Sequence, residues 1–150
     1  MPVDGFFDWR AIRDARGKQP YAIAMKDGSP FALAGLWENW PNPNTGEWER
    51  TFAVITVPSN ELVAQIHNRM PAILNPKSYD RWLSLELDPH DLLIPYPAEP
   101  VTMWPISTRV NKPENDEPSI LDRAVESLDW QAPLDCMSKS LKTAAELVAC

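Results

Sequence analysis

Gln19-Pro20-Tyr21-Ala22-Ile23-Ala24-Met25-Lys26-Asp27-Gly28-Ser29-Pro30-Phe31-Ala32-Leu33-Ala34-Gly35-Leu36-Trp37 is the stretch on which the fold reading turns. Large side chains at Tyr21, Ile23 and Met25 alternate with small ones, which is the period of a strand with one face on a core. Asp27-Gly28 supplies a turn, and Phe31 to Trp37 is the longest apolar run in the chain. Residues 20–37 are therefore predicted to form a β-hairpin with a loop slightly longer than the two-residue type. Further along, Asn39 to Gly46 reads as a surface loop. Trp48 to Val57 reads as a strand buried on both faces, the third of one sheet.

The remaining sequence supplies short elements. Ser59 or Asn60 can cap a helix whose Leu62, Val63 and Ile66 share a face, with His67 ending it and Pro71 stopping it. Met70 to Leu74 reads as extended. Asn75-Pro76 resembles a cap followed by a first-turn proline, opening a helix through Trp82, and Asp88-Pro89 repeats that signature. After a proline-rich connector, a strand is predicted around Met103 to Ile106. Asn111 to Pro118 is an acidic loop. Leu134, Met137, Leu141, Ala144 and Val148 recur at helical spacing, predicting a C-terminal amphipathic helix.

Composition agrees with a short-element, β-containing domain of 150 residues, because 16 prolines against 5 glycines leave little room for long helices or solenoids. No apolar run is long enough to cross a bilayer, and the first residues are not a signal sequence, so no membrane role is expected. Cys136 and Cys150 are too few for a disulfide framework or a cysteine zinc site, which points to a reducing cytoplasm. No metal is expected.

The formal charge of -7 argues against indiscriminate nucleic-acid binding. Its excess, however, lies in residues 86–129. Residues 1–85 balance nine Lys/Arg against nine Asp/Glu, so a surface there can attract phosphate. The basic run Arg10, Arg13, Arg16 and Lys18 reads first as a solvated loop. The seven tryptophans read as core or rim residues rather than a stacking platform.

Two histidines restrict the catalytic candidates. His90 reads as a surface or capping residue. His67 stands in Ile66-His67-Asn68-Arg69-Met70-Pro71, where imidazole and guanidinium lie two residues apart at a helix end. That pair reads either as a structural complement to the helix dipole or as a site. In Asp4-Gly5-Phe6-Phe7-Asp8-Trp9 a carboxylate sits among aromatic rings, which reads either as a general acid or as a solvated carboxylate. Serine-triad, phosphate-loop, zincin and dinucleotide motifs are all missing from the sequence.

Pro2-Val3-Asp4-Gly5-Phe6-Phe7-Asp8-Trp9, then Ile55-Thr56 leading to Ile66-His67-Asn68-Arg69-Met70-Pro71-Ala72-Ile73-Leu74, then Pro105-Ile106-Ser107 with Val110-Asn111, resemble in order the SRAP family, the SOS-response-associated peptidases that act on abasic sites. The resemblance runs from residue 2 to about residue 122. It implies an α+β, mostly β fold, a mixed sheet with short helices, whose cleft binds single-stranded DNA bearing a lost base. Family members remove their initiator methionine and expose a cysteine. Its amine and thiol close a thiazolidine on the sugar aldehyde, and no cofactor is required.

Carried over by position, the resemblance makes His67 the catalytic histidine, Arg69 a DNA-backbone contact and Thr56 a residue near the bound strand. Asp8 takes the place of a catalytic glutamate with one methylene less, and Asn68 stands where an aspartate is common. Residues 1–122 would be the C-terminal part of an SRAP-like domain and 123–150 a helical extension. Because the family's cysteine-bearing half precedes the Pro-Val-Asp-Gly-Phe block, Met1-Pro2 cannot provide the nucleophile, and enzymatic activity stays open. Partners other than abasic single-stranded DNA would be a missing N-terminal half or a second copy. The chain would work in the cytoplasm, at the nucleoid in a bacterium. The alternatives are a non-covalent single-strand binder and an inactive remnant acting through protein contacts.

Overall fold

In the computed structural model, residues 1–12, 17–84 and 88–124 are described. They form β1 (Pro2–Val3), β2 (Gly5–Ala11), β3 (Lys18–Met25), β4 (Phe31–Leu33), β5 (Gly35–Pro41), β6 (Trp48–Val54), β7 (Thr56–Pro58), β8 (Arg69–Pro71), β9 (Ile73–Leu74), α1 (Tyr79–Leu83) and β10 (Val101–Pro105). The strands make small antiparallel sheets, ordered β10-β3-β2, β1-β4-β9, β5-β6 and β7-β8. The mostly β architecture with short helical pieces is the one expected. No helix among the described residues is long and apolar enough to cross a membrane.

The hairpin predicted over residues 20–37 does not form. Its turn does, with Gly28 at φ +72° and its amide bonded to Met25 O at 3.1 Å. But β3 gives one edge to β2, from Gly5↔Ala24 to Ala11↔Lys18, and the other to β10, from Val101↔Met25 to Pro105↔Tyr21. With both edges filled, β4 turns away and pairs with β1 and β9. Gly5 is required where β2 meets β3, because a Cβ there would stand 2.8 Å from Ile23 O.

Both apolar runs are extended as expected, but each changes partner at one residue, and the first runs on to Pro41, into the loop expected from Asn39 to Gly46, because its ladder with β6 continues to Pro41↔Trp48. Phe31 to Trp37 breaks at Ala34, between β4 and β5, and Trp48 to Val57 breaks at Ile55, between β6 and β7. A third segment breaks at Ala72, between β8 and β9. These three residues bond to one another in a ring. Ala34 N donates to Ala72 O (2.8 Å), Ala72 N to Ile55 O (2.9 Å) and Ile55 N to Ala34 O (3.0 Å). Ala34 and Ala72 are fully buried, so their small side chains let three backbones converge. The expectation of one three-stranded sheet gives way to this three-way junction, and the expectation that Trp48 to Val57 is buried on both faces fails for β6, which is exposed along nearly its whole length.

Around the junction, Ile23, Phe31, Leu33, Val57, Val63, Met70, Ile73, Leu74 and Val101 form one core. Asn60 Oδ1 accepts from Val63 N at 3.0 Å, but the expected helix does not form: only a single 3-10 turn follows, Val63–Gln65, with Leu62 at its N-cap position. Residues 59–68 have to close the β7–β8 hairpin, and Ser59 N already bonds Asn68 O at 3.2 Å, so no room remains for a helix. Asn75-Pro76 opens a 3-10 turn and then α1 as predicted, its side chain accepting from Lys77 N at 3.0 Å. The strand expected at 103–106 is β10. The amphipathic helix expected from Leu134 to Val148, and Arg13 and Arg16 of the basic run, lie outside the described residues.

Candidate functional site

Thr56 opens β7 directly after the junction residue Ile55, and Arg69-Met70-Pro71 runs into the junction at Ala72. The register Thr56↔Pro71, Val57↔Met70, Pro58↔Arg69 buries Val57 and Met70 in the core and leaves Thr56 and Arg69 exposed, one strand face each way. Buried apolar neighbours thus fix the backbone that presents two polar side chains.

The Arg69 guanidinium lies along Thr56. Its Nε donates to Thr56 Oγ1 at 3.1 Å and its Nη2 to the same oxygen at 2.8 Å, with a further bond from Nη2 to Thr56 O. All these acceptors are neutral. Among the described residues no carboxylate forms an ion pair with Arg69, so its charge is oriented without being neutralised.

His67 ends the loop that leads into β8. Ser59 Oγ donates to His67 O at 2.8 Å and His67 N to Val63 O at 2.9 Å, holding the backbone from both sides. The ring nitrogen Nδ1 lies 2.9 Å from Arg69 O. A carbonyl oxygen can only accept, so Nδ1 carries a hydrogen and, in the neutral ring, Nε2 is left as the basic nitrogen.

Asp8 reaches the same nitrogen from another sheet. On β2, alternation places Phe6 and Asp8 on one face; Phe6 packs on the core, its ring edge-on to Phe31 with centroids 6.4 Å apart, and Asp8 stands one step beyond the core edge. Asp8 Oδ1 accepts from Trp9 N at 2.8 Å, while Oδ2 lies 3.5 Å from His67 Nδ1. The carboxylate is 19% exposed and the imidazole 50%, so the pair sits at a rim open to a large ligand. Trp9 Nε1 donates to Asn111 Oδ1 at 2.8 Å, tying the end of β2 to the segment after β10.

The structure therefore brings Asp8, Thr56, His67 and Arg69 into one neighbourhood from three strands and a loop. Ser59 and the Arg69 carbonyl, which orient the imidazole, were not singled out from sequence. A backbone carbonyl leaves no sequence signal, and Ser59 reads only as a cap. Among the described residues no group of three or more His, Cys, Asp or Glu side chains is placed to hold a metal ion.

Comparison with known proteins bears on this geometry. The chain is 36% identical over 126 residues to the abasic site processing protein YoqW of Bacillus subtilis, covering 81% of this chain and 55% of that protein. It is 32% identical over 159 residues to the abasic site processing protein HMCES of Xenopus tropicalis, covering 93% of this chain and 47% of that one. A crystal structure of a Bacteroides thetaiotaomicron protein superposes with a TM-score of 0.72 at 34% identity, over 83% of this chain and 55% of that chain. The chain thus spans about half the length of the relatives it matches. The sequence model of the SOS response associated peptidase (SRAP) family matches residues 1–113, and with these relatives the chain belongs to that family.

Proposed function

We propose that this chain acts on abasic sites in single-stranded DNA, with Asp8, His67, Arg69 and Thr56 facing the damaged sugar. The observation that carries the reading is the un-neutralised Arg69 beside an imidazole whose Nδ1 is held by a carbonyl and a carboxylate. Arg69, aligned by Thr56, grips a phosphate next to the lesion. His67 Nε2 takes the proton from the sugar's C1′ hydroxyl, and as the imidazolium it returns a proton to the ring oxygen, so the closed sugar opens to its aldehyde. Asp8 stabilises the imidazolium through Nδ1, and its short side chain already reaches that position without a further methylene.

The opened aldehyde is the electrophile for the covalent step this reading includes. A free α-amine attacks it and loses water to give a Schiff base, and a thiol adds across the C=N bond while its proton passes to nitrogen. Both groups must belong to one N-terminal cysteine. The amines of Cys136 and Cys150 are tied in peptide bonds, so in this reading that cysteine is carried by polypeptide outside these 150 residues. The site of action is then the cytoplasm, at the nucleoid in a bacterium.

Fluorescence anisotropy with a single-stranded oligonucleotide carrying one abasic site, compared with the intact strand, tests the reading. The abasic strand is expected to bind more tightly. Arg69→Ala lowers affinity about tenfold, the scale of one charge-assisted phosphate contact, and reduces the salt slope by about 0.7. Thr56→Val, which removes the two bonds to Oγ1 and leaves the one to the backbone carbonyl, costs about threefold. Equal affinity for intact and abasic strands would leave a non-covalent single-strand binder, and insensitivity to Arg69→Ala rejects the site altogether.

A further inference from the structure

The β5–β6 ribbon handles its apolar side chains unlike the rest of the molecule. Its register sets Trp37 opposite Phe52 and Pro41 opposite Trp48 on one face. Trp37, Trp48 and Phe52 are 65%, 73% and 71% exposed. With aromatic side chains of about 150–250 Å² each, these three leave on the order of 450 Å² of ring surface in water, near the largest patch a typical monomer tolerates. The opposite face exposes Leu36 and Trp40 beside Glu38 and Glu49. Among the described residues neither strand has a neighbour on its outer edge.

Two observations select what covers it. Among the described residues both faces and both edges are open together, and a two-stranded ribbon in this state is marginal in water. A stacked nucleic-acid strand would use one face in a cationic groove, whereas Arg50, stacked 4.9 Å over Trp37, is the ribbon's single cation and the second face is acidic. Only polypeptide satisfies rings, edges and backbone at once. The second observation is length, since the solved relative that shares this fold has nearly as much chain again, this protein matching 55% of it.

We infer that the ribbon is a docking surface for the polypeptide corresponding to the part of its SRAP relatives that this chain does not match, which packs on Trp37, Phe52 and Trp48 and pairs with a free strand edge. None of this depends on the abasic-site reading, and no readout below uses abasic DNA. The test is a chimera in which this chain replaces the 126 aligned residues of YoqW, compared with the chain alone by amide hydrogen exchange. Exchange across residues 35–41 and 48–54 is expected to slow at least tenfold in the chimera, with tryptophan emission shifting to the blue. The double variant Trp37→Ser/Phe52→Ser reverses both. A folded chimera with unchanged ribbon exchange overturns the inference.

Should the chimera fail to fold, the full chain is titrated with the unmatched YoqW segment as a separate polypeptide in sedimentation velocity. A one-to-one complex weakened at least tenfold by the double variant supports the inference, and no complex, or one indifferent to the variant, overturns it. Protection of the ribbon by self-dimerisation of the chain, or by an oligo-dT strand, overturns it in favour of that occupant.

Discussion

Two arms leave the Ala34–Ile55–Ala72 junction in opposite directions, built from similar residues but placed in opposite surroundings. The inner arm, β7–β8, buries Val57 and Met70 against the core and presents Thr56 and Arg69. The outer arm, β5–β6, carries Trp37, Trp48 and Phe52 into solvent. One strand continues through both, so hydrophobic content along the chain says nothing about which side of the junction is packed. What separates the arms is whether another element lies against them, and precision at the site comes from the arm that has one.

The largest expected effect breaks or keeps this contrast directly. Met70 is 1% exposed, and its sulfur also receives Asn60 N at 3.3 Å. Met70→Ala should therefore lower unfolding free energy by about 2–5 kcal/mol, as buried truncations do. Phe52→Ala, on a ring that touches mostly water, should stay within about 0.5 kcal/mol in the chain alone. Urea unfolding of both variants measures this. Comparable losses would mean that the two arms are equally packed.

A smaller effect sharpens the same contrast at the junction. Ala72 has no exposed surface, and three backbones meet around it. Two added methyl groups should cost about 1–3 kcal/mol by overpacking. The displacement would pass to Arg69 three residues away, so Ala72→Val should also weaken binding of the abasic strand. Ala53→Val, on the exposed outer arm, should leave both unfolding and binding where they were. An Ala72 variant with wild-type stability would show that the junction has slack.

The contrast explains how far the sequence could be read. Alternation at Tyr21, Ile23 and Met25 and the cap at Asn75-Pro76 are local signals, decided within a few residues, and both are visible in the fold. Phe31 to Trp37 and Trp48 to Val57 are correctly extended, but partner exchange at Ala34 and Ile55 depends on Ala72, far along the chain, and no local period encodes it. Asn60 bonds Val63 N at a turn where a helix was expected because β8 must return beside β7 within a few residues. At the site, the proximity of His67 and Arg69 is plain from their spacing. The approach of Asp8 from β2 follows from sheet register, and only the family resemblance made it legible beforehand.

The smallest expected effect compares the inner arm's arginine with an arginine that a carboxylate holds, Arg81. Arg81 lies on α1 and clasps Asp91, Nη1 to Oδ2 at 2.8 Å with a second bond to Oδ1, and donates to Asp88 O at 3.0 Å. Its charge is neutralised, whereas that of Arg69 has no carboxylate partner among the described residues. Hydrogen bonding from Arg81 holds the Asp91 carboxyl below the ordinary aspartate range. A carboxylate with a depressed pKa contributes stability that is present above its unfolded value and is lost as pH falls through the folded one. Acidification below about pH 4 should therefore loosen residues 88–92, read as faster amide exchange corrected for intrinsic rate. The Arg69–Thr56 contact, which has no carboxylate, should not respond over that range, and Asp91→Asn should abolish the pH dependence at 88–92. Because both partners are well exposed the stability change is slight. Its use is diagnostic, since equal acid sensitivity of both arginines would mean that Arg69 has an acidic partner after all and is not available to a phosphate.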